Sequence, residues 1–150
     1  MERTLVLIKP DGVCKALVGE VIQRIEEEGF KIVALKMIYL DEEKAKEFYH
    51  PHKGKHFFPG LIKFMLTAPS IALVVEGKGV VKQIRKIIGE RTPEEAAPEA
   101  IRGQYASDGR RNIVHGSDSP ISAKREIGCL FHPEELYSYD KEDWLKSEPG

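Results

Sequence analysis

No apolar stretch in this chain approaches the roughly 20 residues needed to cross a bilayer. The opening Met1-Glu2-Arg3-Thr4 enters an apolar run too short and wrongly flanked for a signal peptide. Cysteine is scarce. Cys14 and Cys129 stand in unrelated contexts without metal-ligand spacing, which argues against a disulfide framework and for a reducing, cytoplasmic compartment. Neither sign of charge dominates: 23 Lys and Arg against 24 Asp and Glu leave a net charge of −1. Bulk charge therefore indicates neither a nucleic-acid nor a membrane partner, and any anion site must come from local clustering of cations. No Gly-x-x-x-x-Gly-Lys-Ser/Thr run occurs, which rules out a P-loop. Repeats, low-complexity tracts and linkers are also missing, so the 150 residues are expected to form one domain with its own core.

What is there alternates between apolar strands and amphipathic helices. Thr4 to Ile8 is a β-branched and leucine run, ended by the turn-forming Lys9-Pro10-Asp11-Gly12. Val18, Val21, Ile22 and Ile25 recur at helical spacing, with Gly29 as the stop. Lys31 to Leu40 reads as a strand apolar on both faces apart from Lys36, hence mostly covered. Asp41 caps a short helix whose apolar side is Ala45, Phe48 and Tyr49. A basic loop from His50 to His56 then leads into an amphipathic stretch carrying Leu61, Ile62, Met65 and Leu66. Ile71 to Val75 is the most hydrophobic strand and is expected at the centre of its sheet. Val80, Val81, Ile84, Ile87 and Ile88 form the next helical stripe, closed by Gly89.

From Glu90 to Arg110 the chain is irregular, broken by Pro93, Pro98, Gly103 and Gly109, with a helical turn expected around Glu94 to Ala97. A long loop of this kind inside a small domain signals function. Asn112 to Val114 reads as a short strand with His115 at its end, and Ser119 caps a helix that has Pro120 at its first position. The tail, with the lone Trp144, is expected to dock on the body or on a neighbouring subunit. The order βαββαβ predicts a ferredoxin-like α+β sandwich, a four-stranded, mainly antiparallel sheet with helices on one face.

Four groups of residues invite chemistry. Gly77-Lys78-Gly79 follows a strand and opens a helix, but the third glycine of a dinucleotide fingerprint is replaced by Lys82, so an ordinary turn is the better reading. His50, His52 and His56 lie in a Pro- and Gly-containing loop without cysteines or neighbouring carboxylates, which suits a mobile surface loop more than a zinc site. Lys9, Arg85, Arg91, Arg102, Arg110 and Arg111 are scattered in sequence but stand at element ends, where they can converge on phosphate oxygens. His115, finally, has Ser117 beside it and Glu126 one or two turns into the following helix. A carboxylate that accepts the proton of one imidazole nitrogen fixes the tautomer and leaves the other nitrogen nucleophilic. Spacing alone also fits a surface glutamate.

Together these residues resemble the nucleoside diphosphate kinase family over nearly the whole chain. The family signature N-x-x-H-x-S-D is present as Asn112-Ile113-Val114-His115-Gly116-Ser117-Asp118. Beside it stand T-L-V-x-I-K-P-D around Lys9, F-Y and F-F-x-G-L from Tyr49 to Leu61, Ala-Ala-Pro then Ile-Arg-Gly around Arg102, and Phe131-His132-Pro133-Glu134-Glu135-Leu136. The resemblance implies ping-pong transfer of a γ-phosphate from ATP or another nucleoside triphosphate to a nucleoside diphosphate, through a phosphohistidine on His115. It assigns Ser117 and Glu126 to orienting the histidine, and Lys9, Tyr49, Arg85, Arg102 and Asn112 to phosphates, sugar or the histidine-bound group. Phe57 resembles the base-stacking residue, which accounts for broad base specificity because every base has a π-face. Mg²⁺ arrives with the nucleotide, with Asp118 in reach of it through water. Pro93 and the long tail resemble those of hexameric members, so a hexamer is favoured over a tetramer.

Two positions depart from the family pattern. Arg91 replaces the usual threonine, so either Thr92 shifts to supply that hydroxyl or Arg91 supplies a cation to the β-phosphate; Gln104 replaces the usual aspartate after Gly103. The rival reading is a non-catalytic nucleotide- or nucleic-acid-binding module on the same fold, since fold does not fix function.

Overall fold

The side chains of Leu5, Val6, Leu7 and Ile8 are wholly shut off from solvent, and the reason lies in where their strand runs. In the computed structural model, which describes residues 1–150, β1 (Arg3–Ile8) occupies an inner position of a sheet ordered β2-β3-β1-β4. The other strands are β2 (Lys31–Ile38), β3 (Ser70–Glu76) and β4 (Val114–Gly116); β1 pairs with β3 and β4, and every neighbouring pair is antiparallel. β3 separates β1 from β2, and β1 separates β3 from β4, the interleaved connection of a ferredoxin-like α+β fold.

Sequence order predicts helices on one face; the structure covers both. Leu5 and Leu7 pack with side chains from α3 (Glu42–Phe48), α4 (Phe58–Met65) and α7 (Pro120–Leu130). Val6 and Ile8 pack on the other side with α2 (Val18–Glu27), α5 (Val80–Ile88) and Ile101 of α6 (Ile101–Tyr105). Two covered faces explain why β1 and β3 read as unbroken apolar runs rather than as alternation. The α5 stripe of Val80, Val81, Ile84 and Ile88 is buried as its spacing requires, each such side chain contributing about 1.5–3 kcal/mol of burial.

Other boundaries differ for identifiable reasons. Pro10-Asp11-Gly12 opens a one-turn helix, α1 (Pro10–Cys14), rather than a plain turn, with proline at the first position where no N–H is needed. The helix α6 lies in the stretch expected to be irregular; at five residues its apolar period is too short to read. β2 is an edge strand and not mostly covered. Leu35 and Met37 are 52% and 62% exposed, because their register partners Leu73 and Ile71 face α2 and α5, and those helices leave the sheet edge bare. The tail reaches this edge: Tyr137 N–H donates to Val33 O at 2.9 Å and Tyr139 O–H to Ile32 O at 2.6 Å, while Trp144 stays exposed.

The most consequential shift is at β4. It begins at Val114, not Asn112, because Ile113 adopts φ 76° and cannot pair as a strand residue. His115 is therefore the middle of the strand, in register with Leu7, and so projects from the face that carries α3 and α7. Two contacts hold the kink. Lys9 N–H donates to Ile113 O at 2.8 Å, and Ile113 N–H donates to Asp11 Oδ2 at 3.0 Å. Gly12 makes this approach feasible, since a Cβ there would lie 2.7 Å from Ile113 O and 2.8 Å from Ile8 Cγ2. Gly12→Ala is expected to destabilise the protein by about 1–3 kcal/mol, the usual range for overpacking, read from urea unfolding; an unchanged midpoint would show that this approach is not tight.

Candidate active site

His115 is oriented from one side only. Its Nε2 lies 2.8 Å from Glu126 Oε1, and a carboxylate can only accept, so the proton sits on Nε2 and Nδ1 keeps its lone pair. Glu126, on the second turn of α7, is 6% exposed and is no surface residue. The same Oε1 also accepts from Ser117 Oγ at 2.6 Å, and Ser117 is itself held to β1 through Leu5 N–H at 3.3 Å. Burial works to raise the Glu126 carboxyl, but hydrogen bonds from His115 and Ser117 outweigh it and hold the group below its ordinary range. It stays ionised. Phe48 and Tyr49, at the end of α3, meet the imidazole edge to face at 5.2 and 6.4 Å between centroids.

On its other side His115 opens onto a cavity of about 830 Å³. Lys9, Arg85, Arg91, Arg102, Arg110 and Arg111, separated by up to a hundred residues in sequence, all line it. Arg85 comes from the last turn of α5 and donates to Gly116 O at 3.1 Å. Arg102, on α6, donates to Val114 O at 2.8 Å and Gly89 O at 3.2 Å, which pins its guanidinium beside β4. Lys9, at the end of β1, donates to Asn112 Oδ1 at 2.7 Å, and Asn112 in turn donates to Arg91 O at 2.9 Å. These bonds lock Lys9, Arg85 and Arg102 in place before any anion arrives, a form of electrostatic preorganisation.

Crowding of like charge in a buried place has a cost in proton affinity. Burial, and then the charge of Arg102, pulls the Lys9 ammonium down to about 7. Burial, and then Arg85, brings Arg102 down to about 10, which leaves it charged near neutrality. An anion in the cavity relieves both. Tyr49 is the opposite case: burial pushes its phenol far up, so it stays an O–H donor, here to Met65 Sδ at 3.5 Å.

Apolar and aromatic side chains also line the cavity. Phe57, Leu61 and Phe64 line it from α4 and its N-cap, with His52 against Phe57 at 5.5 Å. Arg91 and Thr92 part company. Arg91 lines the cavity, whereas Thr92 Oγ1 accepts from Glu95 N–H at 3.3 Å and caps the turn that follows. His50 and His56 stay outside the cavity, and no three His, Cys, Asp or Glu side chains come together as a metal site. Two contributors escaped sequence reasoning. Asp11 had been legible only as a turn former, and Phe48 only as the apolar side of a helix, because their neighbours are about a hundred and about seventy residues away in the chain.

The sequence model that describes the nucleoside diphosphate kinase family matches residues 2–136. The chain belongs to that family. The nucleoside diphosphate kinase of Archaeoglobus fulgidus is similar at 48% identity, covering 99% of each chain. That of Pyrococcus furiosus is similar at 49% identity, covering 99% of this chain and 94% of the other. Among solved structures, the Aquifex aeolicus nucleoside diphosphate kinase superposes with a TM-score of 0.89 at 44% identity, over 91% of this chain and 99% of that one. A halophilic nucleoside diphosphate kinase from Halobacterium salinarum, solved in complex with CDP, superposes with a TM-score of 0.91 at 39% identity, over 98% and 99% of the two chains. Membership assigns phosphate transfer between nucleotides to this nucleoside diphosphate kinase, and it also accounts for the βαββαβ sheet.

The lowered Lys9 pKa carries a consequence for this kinase. At about one pH unit above the Lys9 value, most Lys9 side chains are neutral, and a bound phosphate raises their proton affinity. ADP binding should then take up protons, seen by calorimetry in buffers of different ionisation enthalpy. Lys9→Met should remove the uptake, and heats that do not depend on buffer in the unmodified protein would contradict the Lys9 assignment.

Proposed function

We propose that the transfer runs by a ping-pong route through His115. The observation that carries this reading is the 2.8 Å contact between Nε2 and Glu126, which leaves Nδ1 as the free nitrogen in a cavity lined by cations. The Nδ1 lone pair forms the N–P bond to the γ-phosphorus. The bond from that phosphorus to its bridging oxygen breaks, with its electron pair leaving on the nucleoside diphosphate. Charge that develops on the imidazole is met by ionised Glu126, which is steadied by Ser117. An acceptor diphosphate then enters and reverses the step, so that nucleoside triphosphate pools equilibrate.

Lys9, Arg85, Arg102 and Asn112 hold phosphate oxygens, the arginines by planar forks and Lys9 as a point charge. Tyr49 turns its O–H from Met65 Sδ to the bound group, and Phe57 stacks the base, which is tolerant of base identity. Arg91, not Thr92, stands in for the usual threonine, because its side chain lines the cavity while the Thr92 hydroxyl is occupied. Mg²⁺ enters on the nucleotide. Three carboxylates line the cavity, Glu90, Asp108 and Asp118; Asp108 is engaged by Arg111 at 2.6 Å, and Asp118, three residues from His115, is our candidate to accept from a metal-bound water. A hexamer suits the bare apolar β2 edge and the family resemblance of the Pro93 loop and tail. The two free cysteines suit a cytoplasmic setting. A mere binding module has no use for a buried carboxylate that fixes the tautomer of a cavity histidine.

Incubation with γ-labelled ATP should leave an acid-labile, base-stable phosphoryl group on the protein. His115→Ala should abolish both the label and the conversion of GDP to GTP; survival of either would sink the phosphohistidine route. Arg91→Ala should raise the KM for nucleotide about tenfold, the scale of one charge-assisted hydrogen bond. An unchanged KM would return that contact to another residue.

A further inference from the structure

Two glycines in the cavity wall are each covered by a guanidinium. A Cβ on Gly109 would stand 2.9 Å from Arg91 Nη2, and a Cβ on Gly60 would stand 2.6 Å from Arg110 Nη2, 2.7 Å from Nη1 and 2.8 Å from Cζ. The second case is the more informative. Gly60 lies in the first turn of α4, with Phe57 three residues before it and Phe64 four after, so all three share one helical stripe. All three line the cavity, and Lys55 Nζ lies 5.7 Å from the Phe57 ring. Arg110 therefore sets a planar, donor-only group on the helical stripe that carries Phe57 and Phe64, in a place that a side chain at residue 60 would make it leave.

Its neighbour is tied down and Arg110 is not. Arg111 binds Asp108 through Nη2 at 2.6 Å and Nε at 2.8 Å, and Asp108 also accepts from the Arg110 and Arg111 N–H groups. This short loop fixes the backbone of Arg110, while its exposed side chain forms no ion pair with a carboxylate. A fixed backbone with a free guanidinium suits a ligand edge better than a structural contact.

We propose that Arg110 is a specificity-determining residue, a guanidinium that donates to the edge of a nucleobase stacked on Phe57. The proposal rests on the reading that the Phe57 end takes the base. A guanidinium offers donors and no acceptor. Guanine presents O6 and N7 together as acceptors and matches the fork, whereas adenine places the N6 amino donor beside N7 and matches it poorly. Stacking still admits every base, so the result is a bias toward guanine nucleotides within a broad specificity.

The test compares GDP and ADP as phosphate acceptors, by kcat/KM, in the unmodified protein and in the Arg110→Ala, Arg110→Lys, Gly60→Ala and Phe57→Ala variants. Arg110→Ala should lower the GDP-to-ADP ratio about fivefold or more, the low end of an arginine–guanine contact. Arg110→Lys should lose most of the same preference, because a point charge lacks the fork. Gly60→Ala should reproduce the change by displacing the guanidinium, provided thermal unfolding shows the variant folded. An equal fall for both acceptors in Arg110→Ala marks a phosphate contact and overturns the proposal, as does an unchanged ratio. Phe57→Ala separates the two levels: a fall for both acceptors keeps the base at this end even if Arg110 fails, whereas no effect on either, with Arg110→Ala also silent, removes the base-end reading itself.

Discussion

The site depends on one backbone constraint, the left-handed turn at Ile113. A β-branched residue at φ 76° is strained by about 1–3 kcal/mol and persists only where its surroundings hold it. Here the hold comes from the end of β1, where Lys9 N–H and the Asp11 carboxylate grip the two sides of the same residue. The kink turns the Asn112 side chain toward Lys9 Nζ and lets the chain resume as a strand at Val114. A single geometric event thus sets both the place of the Lys9 ammonium and the register of His115. Because side chains alternate along a strand, a slip of one residue would move His115 to the α2–α5 face, away from Glu126.

Around that constraint the fold divides its labour by face. The α2–α5 face is closed and apolar, and it holds β1 and β3 as a rigid support. The α3–α4–α7 face is interrupted near β4, and the interruption is the cavity. Short elements feed it from several directions: α6 brings Arg102, the last turn of α5 brings Arg85, and the N-cap of α4 brings Phe57. Most of these side chains are anchored to backbone carbonyls, so they do not have to reorganise when charge moves. The cost of holding them together shows in Lys9 and Arg102, whose proton affinities are lowered by burial first and by neighbouring cations second.

Much of this was legible in the chain itself. The Asp41 and Ser119 caps, the α2 and α5 stripes, and the signature around His115 depend on residues a few positions apart, and local spacing reports them faithfully. What local spacing could not report is exposure and partner choice. Lys31 to Leu40 is apolar, but its place at the sheet edge, and not its composition, leaves Leu35 and Met37 in solvent. Arg91 and Thr92 are adjacent and equally plausible on paper, and only the path of the loop puts one in the cavity and the other in a cap.

The sequence by itself determined the order of elements, the βαββαβ connection and the identity of the histidine, because hydrophobic period, capping residues and motif are all carried by near neighbours. Tertiary structure alone decided which imidazole nitrogen is free, which face it points from, and which of six dispersed cations are anchored. Those outcomes come from strand register and from hydrogen bonds between residues up to about a hundred positions apart, such as Lys9 with Asn112 and Asp11 with Ile113. A one-dimensional pattern does not encode such distances until the sheet closes.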